Sequence, residues 1–143
     1  TVLNGRGHVS VSSGHLMRMR GFAGLIEAMP SIAPAVTWFS DSTEASADYV
    51  IENGVVKSDN IYIEGTCFSI KMTGSYDAVK DKLDFKVMVQ FAKKDSLVGK
   101  LLHPLTWPFS KLLLEFKLSG SPSDPKWSYV TVIDRVLEVG KCN

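Results

Sequence analysis

A charge imbalance is the first thing this chain lacks. Across 143 residues, sixteen Lys and Arg stand against fifteen Asp and Glu, a formal net charge of +1. No overall field therefore draws it toward nucleic acid or an acidic surface. Cysteine is scarce: Cys67 and Cys142 cannot supply a disulfide framework or a four-ligand zinc site by themselves. No apolar run reaches the roughly 18 residues that suggest a membrane-crossing helix. Hydrophobic residues at 45% and charged residues at 22% are ordinary globular usage, which excludes collagen, disorder and coiled coil. The length fits one domain, residues 1–143. The start, Thr1-Val2-Leu3-Asn4, has neither a Met nor a signal-peptide pattern and reads as a piece of a longer chain.

Catalytic constellations are also missing. There is no G-x-S-x-G to set a serine on a strained elbow. His8, His15 and His103 form no i, i+4 pair and have no Cys at ligand spacing, although His8 and His15 can meet across a first hairpin. No metal is expected without a third ligand. Cys67 has Lys71 on its own strand to lower its pKa but no base beside it. Gly5-Arg6-Gly7 precedes a strand instead of opening a helix, so it fails as a phosphate loop. Asp41, Glu44, Asp48 and Glu52 read as a solvated strand edge and its approach. These residues do not assemble an enzyme, and no cofactor is expected.

What the chain does carry is strand patterning. Val9 and Val11 alternate with His8, Ser10 and Ser12, and Ser13-Gly14 supplies turn chemistry for a short hairpin. Ala47, Tyr49 and Ile51 share a face before Asn53-Gly54, a strong hairpin signal. Val55-Val56 and Ile61-Tyr62-Ile63 follow. Phe68, Ile70 and Met72 alternate in a strand that Gly74 is expected to end, with residues 75–82 as a polar connector. Leu83, Phe85, Val87, Val89 and Phe91 then give an uninterrupted alternation, and Leu112, Leu114, Phe116 and Leu118 give another. After a Ser119–Pro125 connector, Trp127, Tyr129 and Thr131 read as the last strand.

Helical spacing occurs twice. Phe22, Leu25, Ile26 and Met29 occupy one helical face before Pro30, and a further turn or two is plausible from Ser31 to Phe39. Between Ser96 and Phe109, the residues Leu97, Leu101 and Leu102 recur at helical spacing before Pro104, and Leu105, Trp107 and Phe109 follow. That segment suits either an interfacial amphipathic helix or a lid folded over the sheet. The expected fold is therefore α+β: a curved, mostly antiparallel meander with one apolar face and two short amphipathic helical insertions. Either the helices close a dry core over that face, or it is a groove for an apolar ligand. Alternation alone makes Phe68, Ile70, Phe85, Val87, Val89, Leu112, Leu114 and Phe116 the face in question. The segment with Leu97, Leu101, Leu102, Leu105, Trp107 and Phe109 is its lid or a membrane contact.

The order of these features resembles the C-terminal domain of AsmA-like bacterial envelope proteins. The resemblance is carried by Asn4-Gly5-Arg6-Gly7-His8-Val9-Ser10-Val11, by the Asn53-Gly54 turn after Ala47–Glu52, by Ile61-Tyr62-Ile63-Glu64-Gly65, by Ile70–Asp77, and by Leu118–Trp127. It covers roughly residues 3–132, through loose turn-and-strand patterns. It implies a periplasmic domain of a parent anchored in the inner membrane, with an apolar groove that carries phospholipid toward the outer membrane. Phospholipid or another apolar ligand, and a membrane surface, are the partners it implies. The alternative is an assembly module in outer-membrane biogenesis that pairs an exposed edge strand, the acidic strand 44–52 or the first hairpin, with another envelope protein.

Overall fold

A computed structural model of the chain describes residues 3–15, 20–28, 43–65, 68–91 and 112–135. Seven strands, β1 (Gly5–Gly14), β2 (Thr43–Glu52), β3 (Val55–Glu64), β4 (Phe68–Asp77), β5 (Lys82–Phe91), β6 (Leu112–Ser121) and β7 (Asp124–Arg135), follow one another in chain order. They form a single open sheet, and every neighbouring pair is antiparallel. Helix among the described residues is confined to a 3-10 turn, Arg20–Phe22, and the six-residue α1, Ala23–Ala28. An α+β fold with two helical insertions is thus not supported, and an open antiparallel sheet with very little helix replaces it. The second expected helix, between Ser96 and Phe109, lies outside the described residues, as does the turn expected from Ser31 to Phe39.

The Asn53-Gly54 signal is realised as a tight turn between β2 and β3. Both residues have positive φ, 54° and 80°, the pair of values a type I′ turn requires. Three local expectations are corrected. β1 runs on through Ser13-Gly14, where a turn is expected, and pairs with β2, so His15 follows His8 along the same chain direction; the expected return arm at Leu16, Met17 and Met19 lies outside the described residues. Gly74 does not end its strand: β4 runs on to Asp77, so the connector shrinks to residues 78–81. Ser119–Ser121 likewise belong to β6, with only Pro122 and Ser123 between β6 and β7.

β3 contains one extra residue. Three steps from Ser58 to Ile61 are matched by two steps from Gly74 to Met72, and the pairing with β2 shifts over the same stretch. Such a bulge flips the alternation, which is how Val56 before it and Ile61 and Ile63 after it all reach one face.

That face is the core. One cross-strand row runs Val11, Ala45, Ile63, Ile70, Val89, Leu114, Val132 through all seven strands. A second runs Ile61, Met72, Val87, Phe116, Tyr129. Ile70, Val87, Val89, Leu114 and Phe116 are fully buried, and Leu25 of α1 is buried with them. Each such side chain contributes about 1.5–3 kcal/mol relative to exposure. The opposite face presents Lys71, Thr73, Asp84, Lys86 and Lys117 to solvent, the one-sided pattern of an antiparallel sheet.

A short helix is not stable alone; buried Leu25 ties α1 to the core, and Trp127 holds the 3-10 turn that leads into it. Its indole N–H donates to the Gly21 carbonyl at 2.7 Å, and its ring lies 5.8 Å from that of Phe22. A Cβ on Gly24 would come within 2.8 Å of the indole, so glycine there lets the helix lie flat on Trp127.

Candidate functional site

The expected lipid-facing residues converge. The register places Phe68, Ile70, Phe85, Val87, Val89, Leu112, Leu114 and Phe116 on one sheet face, on three adjacent strands. Of these, Phe68, Ile70, Val87, Val89, Leu114 and Phe116 are buried and packed together, and Phe85 is half-buried against them. In this conformation the six buried side chains offer a ligand no surface. Leu97, Leu101, Leu102, Leu105, Trp107 and Phe109 lie outside the described residues.

Burial along the face is graded, a feature that alternation does not reveal. From the packed centre toward β1 the same face becomes half-buried: Ile61, Val56, Ile51, Tyr49, Ala47 and Ala45 are all partly accessible. At the edge Val9 is 50% exposed. The face is thus an apolar strip, closed where Ile63, Ile70, Val87, Val89, Leu114 and Phe116 pack together and partly accessible at Val9, Ala45, Ala47, Tyr49, Ile51, Val56 and Ile61. Within the accessible part Tyr49 leans over its cross-strand neighbour Gly7. A Cβ on Gly7 would lie 2.5 Å from the phenol oxygen, so the glycine provides the shelf for the ring.

The other face of the same strands carries a polar cluster that sequence reasoning missed. Where β3 bulges, Asn60 turns back onto Asp48 of β2. The Asp48 N–H donates to Asn60 Oδ1 at 2.9 Å, and Asn60 Nδ2 donates to Asp48 Oδ2 at 2.8 Å. Ser58 Oγ donates to the Asp48 carbonyl at 2.6 Å. Side chains thus replace the ladder bonds that the bulge removes. On the other side His8 Nδ1, opposite Asp48 in the register, lies 2.7 Å from Asp48 Oδ1. A carboxylate can only accept, so the imidazole N–H donates. The bonds from Asn60 and then from His8 hold the Asp48 carboxyl below the usual range. The available signal was the polar run Ser58-Asp59-Asn60 interrupting an apolar alternation.

Beside this cluster an open depression of about 660 Å³ is lined by Arg6, Asp48, Val50, Glu52, Lys57 and Asp59, among others. Lys57 Nζ pairs with Glu52 at 2.8 Å, which draws the Glu52 carboxyl below its ordinary value. No group of three or more His, Cys, Asp or Glu side chains that could hold a metal occurs among the described residues. Cys67 and His103 lie outside them. No described helix is long and apolar enough to cross a membrane.

The acidic strand proposed as an exposed edge is not one. β2 lies between β1 and β3 with both sides paired, because residues 3–15 return to it as an outer strand. The edges of the described sheet are β1 and β7.

Compared with protein-family models, with curated proteins and with solved structures, the chain matches none.

Proposed function

We propose that this chain is a non-enzymatic domain of the bacterial envelope whose apolar sheet face forms part of a phospholipid-binding or transfer groove. The graded burial carries this reading. A face built only as a core has no use for an accessible strip of Tyr49, Ile51, Val56 and Val9 continuous with packed Val87 and Phe116, whereas an acyl chain lying along the strip would bury it. The resemblance of the sequence to AsmA-like C-terminal domains supports the same reading and supplies its setting: a periplasmic position, a parent anchored in the inner membrane, and delivery toward the outer membrane. In this proposal the segment with Leu97, Leu101, Leu102, Leu105, Trp107 and Phe109 is the lid of the groove or its contact with a bilayer.

Organic extraction of the purified protein followed by mass spectrometry tests the reading. Co-purifying phospholipid near one per chain supports it. An extract without lipid, together with no uptake of labelled phospholipid, counts against it. The segment is tested by Leu101→Asp with Trp107→Ala: loss of liposome binding at unchanged melting temperature supports membrane contact, and unfolding supports a packed lid.

A second reading, an assembly module acting through an exposed edge strand in outer-membrane biogenesis, is favoured by the place of β1 at the edge of the described sheet. Cross-linking that captures an envelope protein through β1 in lipid-free material would favour it.

A further inference from the structure

The two edges of this sheet are treated differently by the sequence. β7 carries Pro125, which has no N–H to offer a neighbouring strand. It also carries two bulges: one step from Glu115 to Phe116 is matched by two from Thr131 to Tyr129, and one step from Leu113 to Leu114 by two from Asp134 to Val132. Helix α1 docks against the same strand through Trp127. Proline, bulges and a covering helix are the devices that keep an edge strand from pairing.

β1 has no proline, and its one bulge lies near its end, between Val11 and Gly14. Gly5–Gly14 contains no lysine, and its register runs without a shift from Gly5 to Val11. Its one Lys or Arg side chain is Arg6, and His8 hydrogen-bonds to Asp48 of the neighbouring strand. Among the described residues nothing pairs with its outer side.

We propose that β1 pairs antiparallel with β1 of a second copy of this chain, joining two sheets into one across a two-fold axis at Val9. The strand is self-complementary in that register. Within the stretch of regular register, Val9 meets Val9, Gly7 meets Val11 and His8 meets Ser10, so no like charges stand opposite each other. The odd-numbered residues of both copies fall on one side, which makes the accessible apolar strip continuous through the junction. An axis at His8 would instead set imidazole against imidazole, and a one-residue slip would put the apolar face of one copy against the polar face of the other. The formal net charge of +1 gives two copies little reason to repel. The pairing stands whether or not the strip binds lipid.

Sedimentation equilibrium over a concentration series, with a cysteine trap, tests it. Directly opposed residues in an antiparallel pair have Cα atoms about 4.5–5.5 Å apart, inside the disulfide range. In a Cys67→Ser, Cys142→Ser background, Val9→Cys should therefore oxidise to a covalent dimer, and Val130→Cys, 52% exposed on β7, should not. Val9→Lys places two ammonium groups against each other at the axis. It should weaken self-association at least tenfold while leaving the melting temperature of the dilute monomer unchanged. A wild-type chain that stays monomeric, a dimer indifferent to Val9→Lys, or cross-linking through Val130→Cys in place of Val9→Cys would each overturn the proposal.

Discussion

Gly74 and Phe85 stand opposite each other across β4 and β5 with no room between them for a side chain on the glycine. A Cβ at Gly74 would run into the Asp84 carbonyl oxygen and lie 2.7 Å from Phe85 Cα, and the Gly74 φ of 153° disfavours any other residue.

Gly74→Ala should accordingly cost about 3 kcal/mol or more, from backbone strain and a clash with main-chain atoms that cannot swing aside. Urea unfolding reads this directly. Gly7→Ala is the control: its obstacle is the movable end of the Tyr49 side chain, so it should change stability far less.

Val87 is fully buried at the centre of the face, and Val87→Asp should cost about 3–5 kcal/mol or unfold the domain, since a buried carboxylate without a partner loses its hydration. Phe116→Ala should cost about 3–5 kcal/mol through the cavity it leaves. Val9→Asp, at the accessible end, should stay within about 0.5 kcal/mol of wild type. Thermal melts of the three variants check the gradient.

Trp127→Phe keeps a ring against Phe22 but removes the N–H that binds the Gly21 carbonyl. The expected loss is about 1–2 kcal/mol. Its signature is faster hydrogen exchange at the amides of 22–28, with β4 and β5 protection scaled only by the global change.

Asp48 should titrate below an ordinary aspartate because Asn60 and His8 donate to its ionised form. A depressed folded value means that the carboxylate adds stability above its unfolded pKa, and that this contribution is lost as pH falls through the folded value. NMR titration of the Asp48 carboxyl carbon should show the shift, and Asn60→Ala should move the midpoint upward. An unchanged midpoint in Asn60→Ala would mean that the bulge does not govern this group.

Strand positions were legible in the sequence wherever alternation ran unbroken, as in Leu83–Phe91 and Leu112–Leu118, and the Asn53-Gly54 turn was legible from its chemistry. Gly74 and residues 75–77 were misread because glycine and polar residues usually mark a strand's end, whereas here a close strand approach requires the glycine. The bulge at Ser58–Asn60 was invisible to periodicity, which assumes one residue per step, and the Asp48 cluster was hidden with it. The order of β1 and β2 in the sheet depends on a pairing that spans the segment between them, which no local pattern encodes. Alternation did place the apolar residues on one face. How much of that face is packed and how much is accessible depends on what lies over it, and a single strand's pattern carries no such information.

The central claim is that the accessible strip receives an acyl chain, and titration with a fluorescent phospholipid tests it most directly. The chain should bind saturably, at about one lipid per copy. Tyr49→Asp with Ile51→Asp, both on half-buried positions of the strip, should abolish binding while the protein remains folded by circular dichroism. No saturable binding by the wild-type chain, or equal binding by the folded double variant, would contradict the account.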